Sequence, residues 1–342
     1  MNAKRFLVLV LISVVLLSLL AICKAAPTNP EVTLSIRSAA FGGSAYVFGV
    51  AMEQVINKAR HPWLRASSQE TLGGGDNVWS VEKIVPAKRR STIFVAGEST
   101  YYLAINGLKP FKRSYKEDMR GFAYMGGKAI FLFTLNPNIK TIDDLVGKKI
   151  GFPPRKHSIS LRMEHFFDKV WKIRDKVDIQ YLGFTGLAEA LRDGLIDVGI
   201  GGGYVFPKPL PMPHMVELME TKTIYIIPVP KSDVDALTKI LGTVVCGWEQ
   251  MPAGAWGPGQ PEPTGATFNR TSCWWCWKDA DEKVMYEAIK VLGEHLKDFQ
   301  QYVPGHNPPL KEQLGSLPVE SEKHMHPGVL KYYKEQGIKI GL

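Results

Sequence analysis

The apolar positions of this chain switch repeatedly between the period of a strand and the period of a helix. Residues 32–36 alternate apolar and polar side chains, which predicts a β-strand, and the apolar positions of residues 48–59 share one helical face. The same order returns at residues 63–85 and at residues 149–170. Strands that alternate with helices predict an α/β fold with mixed, mostly parallel sheets.

Two of the predicted strand-to-helix turns are rich in glycine. The first, within residues 37–46, precedes a helix for which Ser44 is a candidate N-cap. The second, within residues 71–77, has Asp76 or Asn77 as its candidate cap. A helix N-terminus exposes unpaired backbone N–H groups and the positive end of the helix dipole. Both turns are therefore suited to a carboxylate or a phosphate.

A third turn of this kind carries positive charge. Residues 153–158 read Pro-Pro-Arg-Lys-His-Ser and follow a predicted strand. Arg155 can contact a carboxylate through two parallel hydrogen bonds, and Ser158 can cap the next helix. The alternative is that three basic residues on a loop simply face solvent. Their position at a helix start favours an anion site, with Arg155 as its recognition residue.

The order of elements predicts two lobes. A helical turn, a glycine and a new strand at residues 141–150 indicate the start of a second lobe, and the strand predicted at 267–277 returns to the first. We expect lobe 1 to comprise residues 26–134 and 266–342, and lobe 2 to comprise 135–265. In α/β sheets, ligands bind outside the carboxyl ends of the strands, so a cleft between the lobes is the expected site.

The first 25 residues are typical of a signal peptide. Lys4 and Arg5 precede an apolar stretch at residues 6–22, and residues 23–25 offer a small-x-small cleavage site. The apolar stretch is short for a membrane anchor. A lipobox ending at Cys23 is the second interpretation. Both interpretations predict export, with a periplasmic location.

Composition excludes some functions. The chain has 342 residues, 45% apolar and 22% charged, with a formal net charge of +9. These values are ordinary for a soluble globular protein, and no basic block interleaved with aromatic residues predicts nucleic-acid binding. A moderately basic surface favours small anions as partners.

Cysteine and histidine give no pattern of a metal or redox site. Cys273 and Cys276 lie on a predicted strand, where residues three apart face opposite sides, so we expect buried thiols rather than a disulfide or zinc site. Cys246 is the remaining cysteine of the expected mature chain. His324 and His326 have no third donor nearby in sequence, so we expect them to be surface residues. No metal and no cofactor are expected.

Five stretches together resemble the TAXI family of solute receptors of TRAP transporters. They are residues 41–46 (Phe-Gly-Gly-Ser-Ala-Tyr), 73–77 (Gly-Gly-Gly-Asp-Asn), 139–150, 191–197 and 326–337. The third and fourth stretches are shared by many type II periplasmic binding proteins, whereas the first and last point to this family. The resemblance covers residues from about 31 to the C-terminus.

The resemblance implies a receptor rather than an enzyme. It implies a two-lobed, type II periplasmic-binding-protein fold that captures a small organic anion, such as a carboxylate or an acidic amino acid, and delivers it to TRAP membrane subunits. A monomer is expected. A receptor that serves a sensor system is the first alternative, and an exported enzyme is the second. Residues 155–158 replace the family's usual Gly-Ser-Gly-Thr-like turn, which puts the family's ligands in doubt for this chain.

The expected ligand contacts combine the resemblance with charge. One wall comprises Phe41, Gly42, Gly43, Ser44, Tyr46, Asn77 and Glu98. The facing lobe contributes Arg155, Lys156, His157 and Ser158, and Tyr204 and Trp256 are expected to close the cleft.

Overall fold

The computed structural model describes residues 30–204, 209–270, 272–303 and 310–341. The expected signal peptide lies outside the described residues. Within those ranges, no helix is both long and apolar enough to span a membrane.

The strands alternate with helices along most of the chain. The strands are β1 (Val32–Arg37), β2 (Leu64–Gln69), β3 (Thr92–Val95), β4 (Met119–Tyr124), β5 (Lys128–Thr134), β6 (Lys149–Phe152), β7 (Asp178–Tyr181), β8 (Val198–Tyr204), β9 (Leu210–Pro211), β10 (Tyr225–Ile227), β11 (Gly247–Met251), β12 (Thr264–Asn269) and β13 (Cys273–Trp277). The α-helices are α1 (Ser44–Lys58), α2 (Gly74–Lys83), α3 (Pro86–Arg89), α4 (Glu98–Ile105), α5 (Ser158–His165), α6 (Phe184–Arg192), α7 (Pro213–Thr221), α8 (Lys231–Leu241), α9 (Glu282–Glu294), α10 (Phe299–Tyr302) and α11 (Pro327–Gln336). A π-helical turn, Phe166–Val170, continues α5.

These strands form two sheets. The first sheet has the order β2-β1-β3-β13-β4, and the second has the order β11-β12-β5-β8-β6-β7, with β10 beside β5 and β9 beside β8. Strand β1 is parallel to β2 and β3, and β6 is parallel to β7 and β8. The remaining described ladders are antiparallel and outnumber the parallel ones. The sheets are mixed as expected, but they are not mostly parallel.

The chain crosses between the sheets at two places. It leaves the first sheet after Tyr124 and joins the second at Lys128, and it returns between Asn269 and Cys273. The expected lobe boundaries do not coincide with these two crossings. Residue 134 is the last residue of β5 and residue 266 lies within β12, and both strands belong to the second sheet. The difference arises because the buried apolar run of β5 carries no sign of which sheet it joins.

The helix starts differ from the expected caps. Gly43 and Gly73 are the N-cap residues of α1 and α2, so Ser44, Asp76 and Asn77 already belong to the helices. Gly73 has φ +112°, a conformation that favours glycine. His157, rather than Ser158, caps α5, because its side chain accepts a hydrogen bond from the Ile159 N–H.

The cysteines are buried thiols, as expected. Cys273 and Cys276 lie on β13 with no exposed surface, and Cys246 is also free and buried. Burial raises the pKa of Cys246 to about 11, so this thiol stays protonated and unreactive at neutral pH.

Asn77 forms hydrogen bonds with the ends of two strands in the first sheet. Its side-chain nitrogen donates to the carbonyl oxygens of Ser38, at 2.8 Å, and Val95, at 2.9 Å. Ser38 directly follows β1, and Val95 is the last residue of β3. The buried amide therefore holds the turns after both strands in place.

Asn77→Ala is expected to lower the free energy of unfolding by about 1–3 kcal/mol, because it leaves buried carbonyl groups without a donor. Urea denaturation measures this loss. Asn106→Ala is the control, since its amide donates an exposed bond to the Tyr102 carbonyl at 2.8 Å, and it should change stability by less than about 0.5 kcal/mol. Equal losses in both variants would contradict the structural role of Asn77.

Candidate functional site

A pocket lies between the two lobes, where the turns after β1, β2 and β6 meet. Its empty volume is about 420 Å³, including the part that is open to solvent. The first lobe contributes Ala39, Gly43, Ser44, Ala45, Gly74 and Val95. The second lobe contributes Lys128, Ile130, His157, Ser158, Ile159, Phe184 and Met212.

Two helix N-termini face this pocket. Ser44 and Ala45 begin α1, so their N–H groups have no acceptor within the helix, and both residues line the pocket. Ser158 and Ile159 begin α5 on the opposite side. The positive ends of two helices therefore point at one space, from one lobe each.

Lys128 is the charged side chain in the described lining, and the sequence did not indicate it. It begins β5, its side chain is 1% exposed, and its ammonium has no hydrogen-bond partner in the described chain. Its nitrogen lies 4.4 Å from the centroid of the Tyr204 ring. Burial lowers the pKa of Lys128 to about 7. A buried, unpaired ammonium is costly, and an anion in the pocket would compensate it.

The histidines around the pocket are neutral at pH 7. Burial, followed by the charge of Arg162, lowers the pKa of His157 to about 4. Burial also lowers the pKa of His214 to about 4. The two rings flank Phe184, with ring centroids 5.3 Å and 5.0 Å from its own. They form an aromatic wall that adds no charge beside Lys128.

The lobes contact each other directly beside the pocket. The Gly75 N–H donates to the Lys156 carbonyl oxygen at 3.0 Å, and the Thr100 hydroxyl donates to the Ser158 hydroxyl at 2.8 Å. A Cβ atom on Gly74 would collide with the Ser158 hydroxyl oxygen. Glycine at this position allows this close approach of the two lobes.

Comparison with known proteins identifies the family. Residues 36–337 match the NMT1-like family. The chain belongs to this family. No curated protein matches it in sequence.

Solved structures confirm the fold of this NMT1-like chain. MatC from Rhodopseudomonas palustris, solved with bound malate, is 10% identical with a TM-score of 0.52, over 89% of this chain and 96% of MatC. The periplasmic binding protein BugD is 9% identical with a TM-score of 0.51, over 92% of this chain and 100% of BugD. Together with the two mixed sheets, these matches confirm the expected two-lobed, type II periplasmic-binding-protein architecture. At such low identity they show the fold alone.

Some of the expected ligand contacts of the NMT1-like chain line the pocket, and others surround it. Gly43, Ser44, His157 and Ser158 belong to the lining. Gly42 lies under the Phe184 side chain and supports the wall, since a Cβ atom on Gly42 would lie 3.3 Å from the Phe184 Cβ. Phe41 is 61% exposed, and its ring contacts Tyr46 edge-to-face at 5.4 Å.

Asn77 and Glu98 have structural partners instead of facing the pocket. Asn77 is fully buried and binds the strand ends described above. Glu98 is 2% exposed and forms an ion pair with Arg270 at 3.3 Å. Because Arg270 directly follows β12, this pair joins the lobes at the return crossing.

The cationic turn does not point its charges into the pocket, which corrects the expected role of Arg155. The Arg155 guanidinium stacks on the Tyr181 ring at 4.3 Å, and the side chain is exposed. Lys156 forms an ion pair with Asp76 in the other lobe at 3.1 Å. Tyr181 holds the Arg155 guanidinium outside the pocket, and Asp76 neutralises Lys156. The sequence could not show these contacts, because they join residues that are far apart in the chain.

Tyr204 and Trp256 also differ from the expected closing residues. Tyr204 lies over the Lys128 ammonium and therefore supports the pocket cation from behind. Trp256 has no exposed surface and packs against Phe131 in the core of the second lobe, with ring centroids 5.3 Å apart. It cannot close a cleft from that position.

The described residues contain no group of three His, Cys, Asp or Glu side chains that could hold a metal ion. His324 and His326 are 2% and 1% exposed, so their expected surface position is wrong. His326 is the N-cap residue of α11, and its Nε2 atom lies 3.1 Å from the Ala280 carbonyl oxygen.

Lys128→Met is expected to stabilise the unliganded NMT1-like chain by about 1–4 kcal/mol at pH 7, because an apolar side chain of similar size replaces a buried, unpaired charge. The folded-state pKa of about 7 lies below the ordinary value of 10.5, so the unfolded chain binds more protons between these values. The free energy of unfolding of the wild type therefore rises between pH 7 and pH 10.5, and the difference in stability between the variant and the wild type becomes smaller. Urea denaturation from pH 6 to pH 9.5 measures both trends.

The exposed Lys112, changed to methionine, is the control and should leave the pH dependence unaltered. A Lys128→Met variant that is less stable than wild type at pH 7 would contradict the unpaired state of this ammonium.

Proposed function

We propose that the chain is an exported solute-binding receptor of a TRAP transporter of the TAXI type. It closes its two lobes on a small organic anion and presents the closed complex to the membrane subunits of the transporter. It acts as a monomer and performs no chemistry. The single observation that carries this proposal is the buried ammonium of Lys128, which has no hydrogen-bond partner in the described chain and faces a pocket between the lobes.

The surroundings of Lys128 support an anion as the ligand. The N-termini of α1 and α5 add partial positive charge from opposite lobes. These positive groups repel one another when the lobes close. An anion between them attracts all of them, so the net electrostatic interaction across the cleft becomes favourable. Ligand binding therefore favours closure, which is the differential affinity that a receptor of this kind requires.

The comparisons agree with this proposal at the level of fold. MatC, which shares the fold, was solved with malate, an organic anion. The TRAP assignment rests on the five motif stretches at residues 41–46, 73–77, 139–150, 191–197 and 326–337. Genes for membrane transport subunits beside this one would support it, whereas an adjacent histidine kinase gene would favour a receptor for a sensor system.

Lys128→Met is expected to weaken anion binding about 10- to 100-fold, because it removes a charge-assisted hydrogen bond. The test is a thermal-shift screen of organic acids, followed by isothermal titration with the best hit. Wild-type affinity should also fall above pH 7, by up to about tenfold per pH unit, as the ammonium loses its proton.

Arg155→Ala is the matched control. It also removes a cation near the cleft, but the Arg155 guanidinium stacks on Tyr181 and does not line the pocket. It should change affinity by less than about twofold. The recognition site would lie at the cationic turn instead if Arg155→Ala weakened binding and Lys128→Met did not.

Gly75→Ala is expected to weaken binding by preventing full closure. Its Cβ would lie 2.8 Å from both the Lys156 carbonyl oxygen and the Leu161 side chain, which belong to the opposite lobe. Alanine suits a helix better than glycine, so the lobe itself should lose no stability. Titration measures the affinity, and small-angle X-ray scattering measures the ligand-induced decrease in radius of gyration.

Gly186→Ala is the control for this variant, since Gly186 is also helical and a Cβ there meets nothing within 4 Å. It should bind and compact as wild type does. Normal compaction by Gly75→Ala would count against closure through this contact.

A further inference from the structure

The described lining of the pocket contains one cationic side chain. Lys128 lines it with a buried ammonium that has no hydrogen-bond partner in the described chain. His157 is neutral at pH 7, since burial lowers its pKa to about 4. The N-termini of α1 and α5 add only partial charges. Lys128 can therefore balance one negative charge on a ligand.

The other nearby cations do not belong to the pocket lining. Arg155 is exposed and stacks on Tyr181, and Lys156 pairs with Asp76 at 3.1 Å. Arg162 is buried, and its Nη1 atom donates to the Ser99 hydroxyl at 3.2 Å, whereas its Nε and Nη2 atoms have no hydrogen-bond partner in the described chain. It is not among the residues that line the pocket. A second carboxylate on the ligand would lose its hydration without meeting a second cation in the described lining, which is unfavourable.

The pocket is equally unsuited to an ammonium group. No carboxylate belongs to its described lining, and Glu98 is paired with Arg270. The α-ammonium of an amino acid would lie near Lys128 without an anionic partner, and like charges in a buried site repel strongly. The charge distribution therefore disfavours free amino acids as well as dicarboxylates.

Much of the remaining lining is apolar. Val95, Ile130, Ile159, Phe184 and Met212 surround the space beyond Lys128. Side chains of this kind favour an apolar body, which they remove from water when the lobes close.

We infer that the ligand is a small monocarboxylate with a short, uncharged apolar body. This inference deepens the proposed function and rests on it. The carboxylate binds Lys128 and the N–H groups at the N-terminus of α1. The body packs between Phe184 of the second lobe and Val95 of the first.

Three compounds of similar size separate the ligand classes. They are 4-methylpentanoate, L-leucine, which adds an α-ammonium to the same skeleton, and glutarate, which carries a second carboxylate. Isothermal titration of the full mature chain at pH 6.5 should give 4-methylpentanoate a Kd at least tenfold lower than that of either other compound. The neutral amide 4-methylpentanamide should bind at least tenfold more weakly than the acid, and Lys128→Met should abolish the difference between acid and amide.

The outcomes distinguish this inference from the function on which it rests. Tighter binding of glutarate or L-leucine would overturn the monocarboxylate class and leave an anion receptor in place. If glutarate binds best and Arg162→Met removes that preference, Arg162 supplies a second charge that the inference denies. Equal binding of the acid and the amide would overturn the role of Lys128, and with it the proposed anion receptor.

Discussion

The candidate site depends on the burial of one ammonium group where the two lobes meet. Strand β5 begins directly after the chain leaves the first sheet, so its first residue, Lys128, lies at the junction and inside the protein. The face of the Tyr204 ring, 4.4 Å away, compensates only part of the lost hydration. A negative charge would compensate much more. In the proposed receptor, the energetic cost of this lysine would therefore also be the source of affinity for an anion.

Lobe closure and charge are coupled through the same residues. Gly74 and Gly75 have no side chains, so the start of α2 comes close to the turn before α5, with the Gly75 N–H 3.0 Å from the Lys156 carbonyl oxygen. This approach brings the N-terminus of α5 opposite that of α1 across the pocket that Lys128 lines. Closure thus concentrates positive potential in a space that excludes water, where electrostatic interactions are stronger. In the proposed receptor, an anion in the pocket would therefore favour closing.

The sequence predicted the parts of this arrangement that depend on local pattern. It indicated the α/β fold and the glycine turns before α1 and α2. It did not indicate Lys128, because a lysine at the edge of an apolar run looks like the polar end of a strand. It overestimated Arg155, because the stacking on Tyr181 depends on a residue 26 positions away in sequence. Whether a side chain faces a pocket or turns away is decided by tertiary packing, which composition does not encode.

The contrast between two cations at the lobe junction strengthens the proposal that Lys128 binds the ligand. Arg270 directly follows β12 on the return crossing, and it pairs with Glu98 of the other lobe at 3.3 Å. That charge is neutralised within the protein and serves to connect the lobes. Lys128, on the outgoing crossing, has no such carboxylate in the described chain, although it is more deeply buried than Arg270. A charge that only supported the fold would be paired, as Arg270 is, or replaced by an apolar side chain at lower cost. An unpaired charge that faces a pocket is instead suited to bind a partner from outside the chain.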